Sequence, residues 1–472
     1  MITNTLISAV PSTTINVAII GAGICGSSAA SALAQAASNL SKERTGSGST
    51  ACSPLLIDVY DQGRNGVGGR ASHRALNERG ERQQPAERID GTQMRWDHGC
   101  QFFRADTPQM QEHVNDWIND GLCEEWKGNF VRMGLGDGGS SFFGMPNLGP
   151  FYVGVGGMHT LPQGLIDRAC ETGFVNVFNG VRISDIEHDA GTNRWILSGA
   201  SGEAAYHDSS TTSKKITTMP PGDSKQYDVV LLTDISSTSF GTWHRASANV
   251  PKKFADKVKQ RLSARVPLFS AMVAYETPVP TDASTITFSD DPTIWFASRS
   301  KHKPGLGSLS KDCWTLISTP EYAMQQIEET PMQDPSTGAF VPQGKDYLSL
   351  VPGPDLERAF RDALLQSNEC HLDELQRASY IHAQRWGSAL PAFEGDPKKM
   401  KVIGGVTYDS TKSSLAPTEK ASLNHDTLNF VVDEHYKLIQ AGDMVSVYTP
   451  GFEAAALSGA DAAAYIVKNF LS

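Results

Sequence analysis

The chain has no apolar run approaching the roughly 18 residues that a spanning helix needs, so no membrane span is expected. It has no surplus of basic charge. With 41 Lys and Arg against 52 Asp and Glu, the net charge of −11 argues against nucleic acid or an anionic membrane as the main partner. Seven cysteines, at positions 25, 52, 100, 123, 170, 313 and 370, show no CxxC spacing and are odd in number. That excludes an evident disulfide framework and predicts reduced thiols in an intracellular, cytoplasmic setting. The twelve histidines form no HxxxH pattern and no His–Cys cluster, so neither a structural nor a catalytic metal is expected. The first 14 residues contain no Lys or Arg. They resemble neither a signal peptide nor an Arg-rich transit peptide, and a short frayed lead-in is expected.

What is present is organised around residues 15–70. Ile15–Ile20 is a short apolar run rich in β-branched residues, as a buried parallel strand should be. Gly21-Ala22-Gly23-Ile24-Cys25-Gly26 follows and matches G-x-G-x-x-G, and small residues from Ser27 to Ala37 continue as a helix. Gly21 permits the tight turn, Gly23 lets the backbone approach a pyrophosphate, and Gly26 lets helix pack on strand. The helix N-terminus presents free N–H groups to the phosphates. A second strand, 55–60, ends in Asp61, placed for ribose hydroxyls. The gap from Gly26 to Asp61 exceeds the usual spacing of roughly 20 residues. The polar Gly/Ser/Thr-rich segment 39–53 explains the excess as an expected surface loop. After Asp61 and Gln62, the glycine-rich segment 63–70 predicts a loop wrapped around a polyanion, with Gly68 and Gly69 allowing close approach and Arg64 and Arg70 neutralising charge.

Residues 71–87 read as a polar, exposed excursion. Residues 95–103 form a compact segment ending in aromatics. Its His98 is a candidate general base, although a histidine between Asp and Gly is more commonly a satisfied loop residue. Helical spacing is expected over 107–127, and the Gly-rich stretch 134–149 with Phe142 and Phe143 is a lid, pocket wall or plain loop. Segments 175–178, 181–186 and 195–197 read as strands of a meander, 204–223 as an insertion, and 228–233 as a buried strand. A basic helix over 254–265 is expected to be a solvated face. Strands at 268–275, 293–297 and 313–318 suggest a second sheet, helices follow at 320–327 and 353–365, and residues 382–386 close this region. The last part repeats the opening pattern, with a strand at 438–443 and an Ala-rich helix at 453–468.

Taken together, GAGICG, Asp61, GVGGR at 66–70, WDHGCQFF at 96–103, YVGVGGM at 152–158 and AGD…FEAAALSGADAA at 441–463 resemble the flavin amine oxidase superfamily. Cys100-Gln101 before aromatics, SRSKHKPG at 298–305 before CWTLISTPEY, and Arg385-Trp386 resemble its renalase-like branch. The resemblance implies an α/β protein in which a Rossmann-type FAD-binding domain interleaves with a mixed-sheet substrate domain. The FAD segments would be 15–105, 152–240 and 431–472, and the substrate segments 106–151 and 241–430.

It also implies that the turn 21–26, including Ala22 and Cys25, meets the pyrophosphate of FAD. Asp61 would meet the ribose, and Arg70 would lie along the phosphates. Gly99, Cys100 and Gln101 would line the flavin, and Ile183 would offer backbone to adenine. Gly442 and Asp443 would hold the remaining phosphate and ribityl chain. The helix N-terminus at Ala454 and Ala455 would face the flavin pyrimidine edge, where it stabilises negative charge. Ala454 stands where many relatives have glycine, no proline follows Thr233, and Gly387 replaces a basic or polar residue.

The implied chemistry is hydride transfer from a dihydronicotinamide isomer of NAD(P)H, with molecular oxygen as acceptor. Arg385 is the candidate for gripping the substrate and Trp386 for stacking, against a reading of the two as surface charge and core. Lys301 and Lys303 are weaker candidates for positioning water. The rival reading is oxidation or desaturation of a small-molecule amine or metabolite in an apolar cage, with Phe142, Phe143, Phe269 and Tyr275 as candidates. A flavin-carrying sensor without turnover is a third.

Overall fold

The opening strand, Ile15–Ile20, lies inside a six-stranded sheet. The computed structural model describes residues 14–46, 55–63, 66–77, 80–81, 94–134, 149–201, 225–233, 250–261, 265–289, 291–331, 341, 343–344, 346–367, 375–391, 400–403, 406–409, 428–448 and 451–471. In this first sheet the order is Val431–Asp433, Leu438–Gln440, Val229–Leu232, Ile15–Ile20, Leu55–Asp61, Val175–Asn179. All neighbours are parallel except the first pair. Val17, Ile19, Ile57, Val59, Val229 and Leu231 are fully buried, which is why these strands read as continuous apolar runs rather than alternating ones.

Helix Ile24–Gly46 crosses one face of this sheet and packs against the C-terminal helix Phe452–Phe470. Small residues set how closely the two approach. A Cβ on Gly459 would stand 2.0 Å from the Cys25 carbonyl oxygen, so only glycine fits there. The first helix runs well past Ala37. Leu40, Lys42, Glu43 and Arg44 are good helix formers, so the early part of the expected 39–53 loop is helical, and residues 47–54 lie outside the described residues.

A second six-stranded sheet has the order Tyr380–Pro391, Arg265–Tyr275, Asp312–Ser318, Ile294–Arg299, Thr285–Phe288, Phe130–Met133. Only its last pair is parallel, so the sheet is mixed. One face carries Phe269, Ala271, Val273, Tyr275, Trp314 and Leu316, packed under helices Pro320–Glu329 and Pro352–Gln366. The alternating residues Ser270, Met272, Thr315 and Trp386 turn the other way, toward residues 96–98. That face meets the nucleotide-type sheet's own loops, and the candidate site lies there.

Three local expectations change. The excursion at 71–87 contains strand His73–Leu76, paired antiparallel with Met94–Asp97, because Leu76 is buried with Trp96 and Met272. The helix expected over 107–127 is Pro108–Asn119, opened by the Thr107 cap and followed by an Asp120-Gly121 turn and strand Cys123–Glu125. Strand Val175–Asn179 joins the parallel sheet rather than the meander, leaving Val181–Asp189, Arg194–Ser201 and Gln226–Tyr227 as a three-stranded antiparallel ribbon. Among the described residues no helix is long and apolar enough to cross a membrane.

Candidate functional site

The turn after the first strand is held from three sides. Gly21 has a φ of 100° and its N–H reaches the Tyr60 carbonyl at 2.8 Å. A Cβ on Gly26 would lie 1.9 Å from the Gly21 carbonyl oxygen. Thr233 Oγ1 donates into the same turn, within 3.0 Å of both the Ile20 and Gly21 carbonyls. Asp61, 7% exposed, accepts the Ala22 N–H at 2.7 Å and the Gly63 N–H at 2.6 Å. The carboxylate thus shapes the turn through both of its oxygens.

The second glycine loop docks on the first. Gly68 N–H donates to the Ala22 carbonyl at 2.9 Å, and a Cβ on Gly69 would stand 3.4 Å from the Gly23 Cα. Gln62 is exposed beside Asp61, and Arg64 lies outside the described residues. The structure adds a feature that the motifs did not show. Arg70 forms a bidentate pair with Asp443, at 2.8 and 2.5 Å, and also donates to the Ala389 carbonyl. Two residues expected to meet the cofactor separately thus form one unit, with Asp443 buried and Arg70 36% exposed at its side chain. The pairing has a physical reason: a carboxylate as buried as that of Asp443 needs a charge-assisted partner, and the bidentate guanidinium supplies it. Gly442, at φ 126°, donates its N–H to Ser458 Oγ, which donates to the Asn429 carbonyl.

Cys25, Ala454, Ala455 and Ile183 are buried. Burial drives the Cys25 thiol well up and pushes Cys100 to about 12, with Asp97 adding to the latter. Both stay neutral thiols near neutral pH. Glu453, in the first turn of the last helix, accepts N–H groups of Asp106 and Thr107 at 2.8 and 2.9 Å, which fixes that helix start against residues 106–107.

Three side chains of the second sheet, together with Lys303, grip the segment 97–101. Ser270 Oγ donates to the His98 carbonyl at 2.5 Å, and Trp386 Nε1 lies 3.0 Å from the same oxygen and from Ser270 Oγ. Thr315 Oγ1 donates to the Asp97 carbonyl at 3.0 Å. Lys303 Nζ reaches Asp97 Oδ2 at 2.8 Å and Gln101 Oε1 at 3.2 Å, with both ion-pair side chains 1% exposed. Gln101 Nε2 in turn donates to the Asp97 and Gly99 carbonyls. A Cβ on Gly99 would stand 2.2 Å from the Arg70 carbonyl oxygen and 3.2 Å from Trp386, so the loop is folded tightly between the two. The His98 ring stacks on Trp386, centroids 5.4 Å apart.

Arg385 and Trp386 are not brought together. Adjacent strand residues point to opposite faces, and Arg385 NH1 donates to the Thr330 carbonyl on the helical side of the sheet. Lys303, considered for holding water, is committed to Asp97 and Gln101, and its ammonium lies 5.4 Å from the Trp126 ring centre. Lys301 is exposed. Of the expected cage, Phe269 and Tyr275 face the helices, while Phe142 and Phe143 lie outside the described residues. A different aromatic group adjoins Gln101. Phe102 packs on Phe151 at 4.8 Å and Phe296 at 5.9 Å, and Phe130 meets Phe151 at 5.2 Å. Phe102 and the register of Phe296 were the available signals, but nothing in the sequence says that strand Ile294–Arg299 faces residue 102.

No protein-family model matches the chain. Among solved structures it is similar to a provisionally assigned protoporphyrinogen oxidase from Exiguobacterium sp. 255-15, at 10% identity and a TM-score of 0.52, covering 97% of this chain and 99% of that one. It is also similar to a triple mutant of putrescine oxidase redesigned for cofactor binding, at 11% identity and a TM-score of 0.50, covering 97% of this chain and 100% of that one. The fold is amine-oxidase-like. This two-domain α/β fold couples a Rossmann-type unit to a mixed-sheet domain, and at such identities the likeness speaks to fold, leaving chemistry to the residues.

Proposed function

We propose that this chain is an FAD-dependent oxidoreductase that removes a hydride from a small molecule bound between the two sheets. The observation that carries the reading is the junction at 97–101: a nucleotide-type cradle ends in a loop that the second sheet grips, beside an aromatic wall. The cradle fits the group. Gly26 leaves no room for a side chain, Gly69 turns through a φ of 53° against Gly23, Asp61 is buried at the end of the second strand, and Arg70 offers a partly exposed guanidinium. Bound FAD would supply the hydride acceptor. Asp61 would take the ribose, the first helix and Arg70 the phosphates, and Cys100 and Gln101 the flavin edge. Trp386, Ser270 and Thr315 hold the carbonyls of this loop in place, and Phe102, Phe151 and Phe296 exclude water from one side.

The first substrate reading is a dihydronicotinamide isomer of NAD(P)H, whose flat neutral ring suits an aromatic wall, with oxygen as the final acceptor. The second is an amine, as the name of the putrescine oxidase relative suggests. The same wall would hold it as the neutral base, since Lys303 already places a cation against Trp126. Anaerobic bleaching of the flavin absorbance decides between them. A borohydride-made mixture of dihydronicotinamide isomers should bleach it rapidly, and bleaching by amines alone would replace the first reading with the second. A protein that purifies without flavin, and does not take it up, would overturn both.

A further inference from the structure

Arg95 is 6% exposed, and its Nε has no hydrogen-bond partner. Among the described residues it forms no ion pair with a carboxylate. The nearby Asp97 is taken by Lys303 and by the Met158 N–H. The guanidinium lies instead against a ring, with one NH2 nitrogen 2.8 Å from His159 Nε2 and 3.4 Å from Nδ1. The His159 ring touches that of His73, centroids 3.8 Å apart. Burial above all, then Arg95 for His159 and His159 for His73, holds both imidazoles below their ordinary range, so each is neutral with one N–H to donate.

His159 is also the capping residue of helix Thr160–Glu171, which has no side-chain cap bond and no acid in its first turn. Among the described residues the one acidic group acting on Arg95 and His73 is Asp97, whose carboxylate is ion-paired with Lys303. The other groups that converge here are a cation, neutral donors and the positive end of a helix, so the charge of Arg95 has no carboxylate of its own. A buried guanidinium is stable when its N–H groups meet an acceptor that carries negative charge, and its planar fork matches the two oxygens of an oxyanion.

We propose that Arg95, His73 and His159 form a binding site for a small oxyanion, a carboxylate or phosphate, at the N-terminus of helix Thr160–Glu171. The site is separate from the nucleotide cradle, which is built from the turn 21–26 and Arg70. Arg95 supplies the charge, the imidazoles supply directed N–H groups, and the helix end adds its partial positive charge. The oxyanion is either a free ion or a group carried by a substrate.

The test uses the full chain as purified. Its thermal midpoint is followed against sodium phosphate and sodium acetate, with sodium chloride holding ionic strength constant. The midpoint should rise saturably with at least one of the two anions. Arg95→Met should abolish the response, and Arg95→Lys and His159→Phe should each raise the half-saturating concentration by about tenfold, the loss of roughly one charge-assisted hydrogen bond. Should Arg95→Met not fold, the other two variants carry the comparison. A response identical in wild type and variants, or no saturable response, overturns the site. Competition between the anion and the bleaching substrate would assign the oxyanion to a substrate group, and its absence to a free ion. The thermal readout requires no turnover, so it stands or falls separately from the oxidoreductase reading.

Discussion

Replacing Lys303 with Met is the sharpest perturbation of the junction between the two sheets. Met nearly matches the aliphatic stem of lysine in volume, so the change removes charge without opening a large cavity. Asp97 Oδ2 then loses a cation at 2.8 Å while remaining 1% exposed, and only Oδ1 keeps a partner, the Met158 N–H at 2.9 Å. Removing one partner of such a buried pair costs about 3–5 kcal/mol. The lost contact with Gln101 Oε1 adds about 1 kcal/mol. Asp97→Asn alone strands the ammonium and should cost a similar amount. In the double variant neither charge remains, and its cost should fall well below the sum of the two, giving a coupling of about 3 kcal/mol. Urea unfolding followed by tryptophan fluorescence on all four proteins measures this. Single costs that simply add, or a Lys303→Met cost under about 1 kcal/mol, would refute the view that the pair holds the junction.

Gly459→Ala puts a methyl 2.0 Å from the Cys25 carbonyl oxygen and must separate the two packed helices, so a loss of about 3 kcal/mol is expected in the same assay, and a neutral result would show that the contact is looser than described. Trp386→Phe should weaken flavin retention about fivefold through the lost bond to the His98 carbonyl, whereas Arg385→Ala, on the other face, should leave retention unchanged; equal effects in flavin titration would contradict that division. His159 is held at about 3 by burial and then by Arg95, against 6.5 in the unfolded chain. The unfolded state therefore binds the extra proton, so stability contributed by neutral His159 is complete above pH 6.5 and falls by about 1.4 kcal/mol per pH unit toward pH 3. His159→Asn should flatten the acid limb of unfolding midpoints measured from pH 7 to 4, and parallel limbs would count against it. Truncation after Lys437 removes the strand Leu438–Gln440 and the last helix; a truncated protein that purifies with stoichiometric FAD would sink the assembly of the cradle.

The nucleotide-type half was legible because its rules are local. Strand, glycine turn, helix and terminal acid occur in order within one supersecondary unit, and steric limits such as those at Gly26 act over a few residues. The second sheet was legible as strands but not as faces. Periodicity placed Arg385 and Trp386 side by side, and only the pairing of Leu268 with Trp386 and Phe269 with Arg385 shows that they part company. The same limit hid the aromatic wall, whose members come from residues 102, 130, 151 and 296 and converge through tertiary packing. Charge pairs over long separations were equally hidden. KHKPG reads as a solvated turn, yet Lys303 is buried because Asp97 and Gln101 meet it from another part of the chain.

The parallel pairing of Val230–Leu232 with Leu438–Gln440 has a consequence for the order of events during synthesis. The two strands are separated by about two hundred residues, so their contact is among the most costly in loop closure and among the last to form. When the glycine turn leaves the ribosome, its partner Gly68 soon follows, but Asp443, Ser458 and Gly459 do not exist yet. Until they arrive, one edge of strand Val229–Leu232 and the apolar flank of the first helix stay uncovered. On the proposed reading, cofactor capture would follow synthesis of the last helix, and the interval before it would be when the nascent chain is most exposed to aggregation.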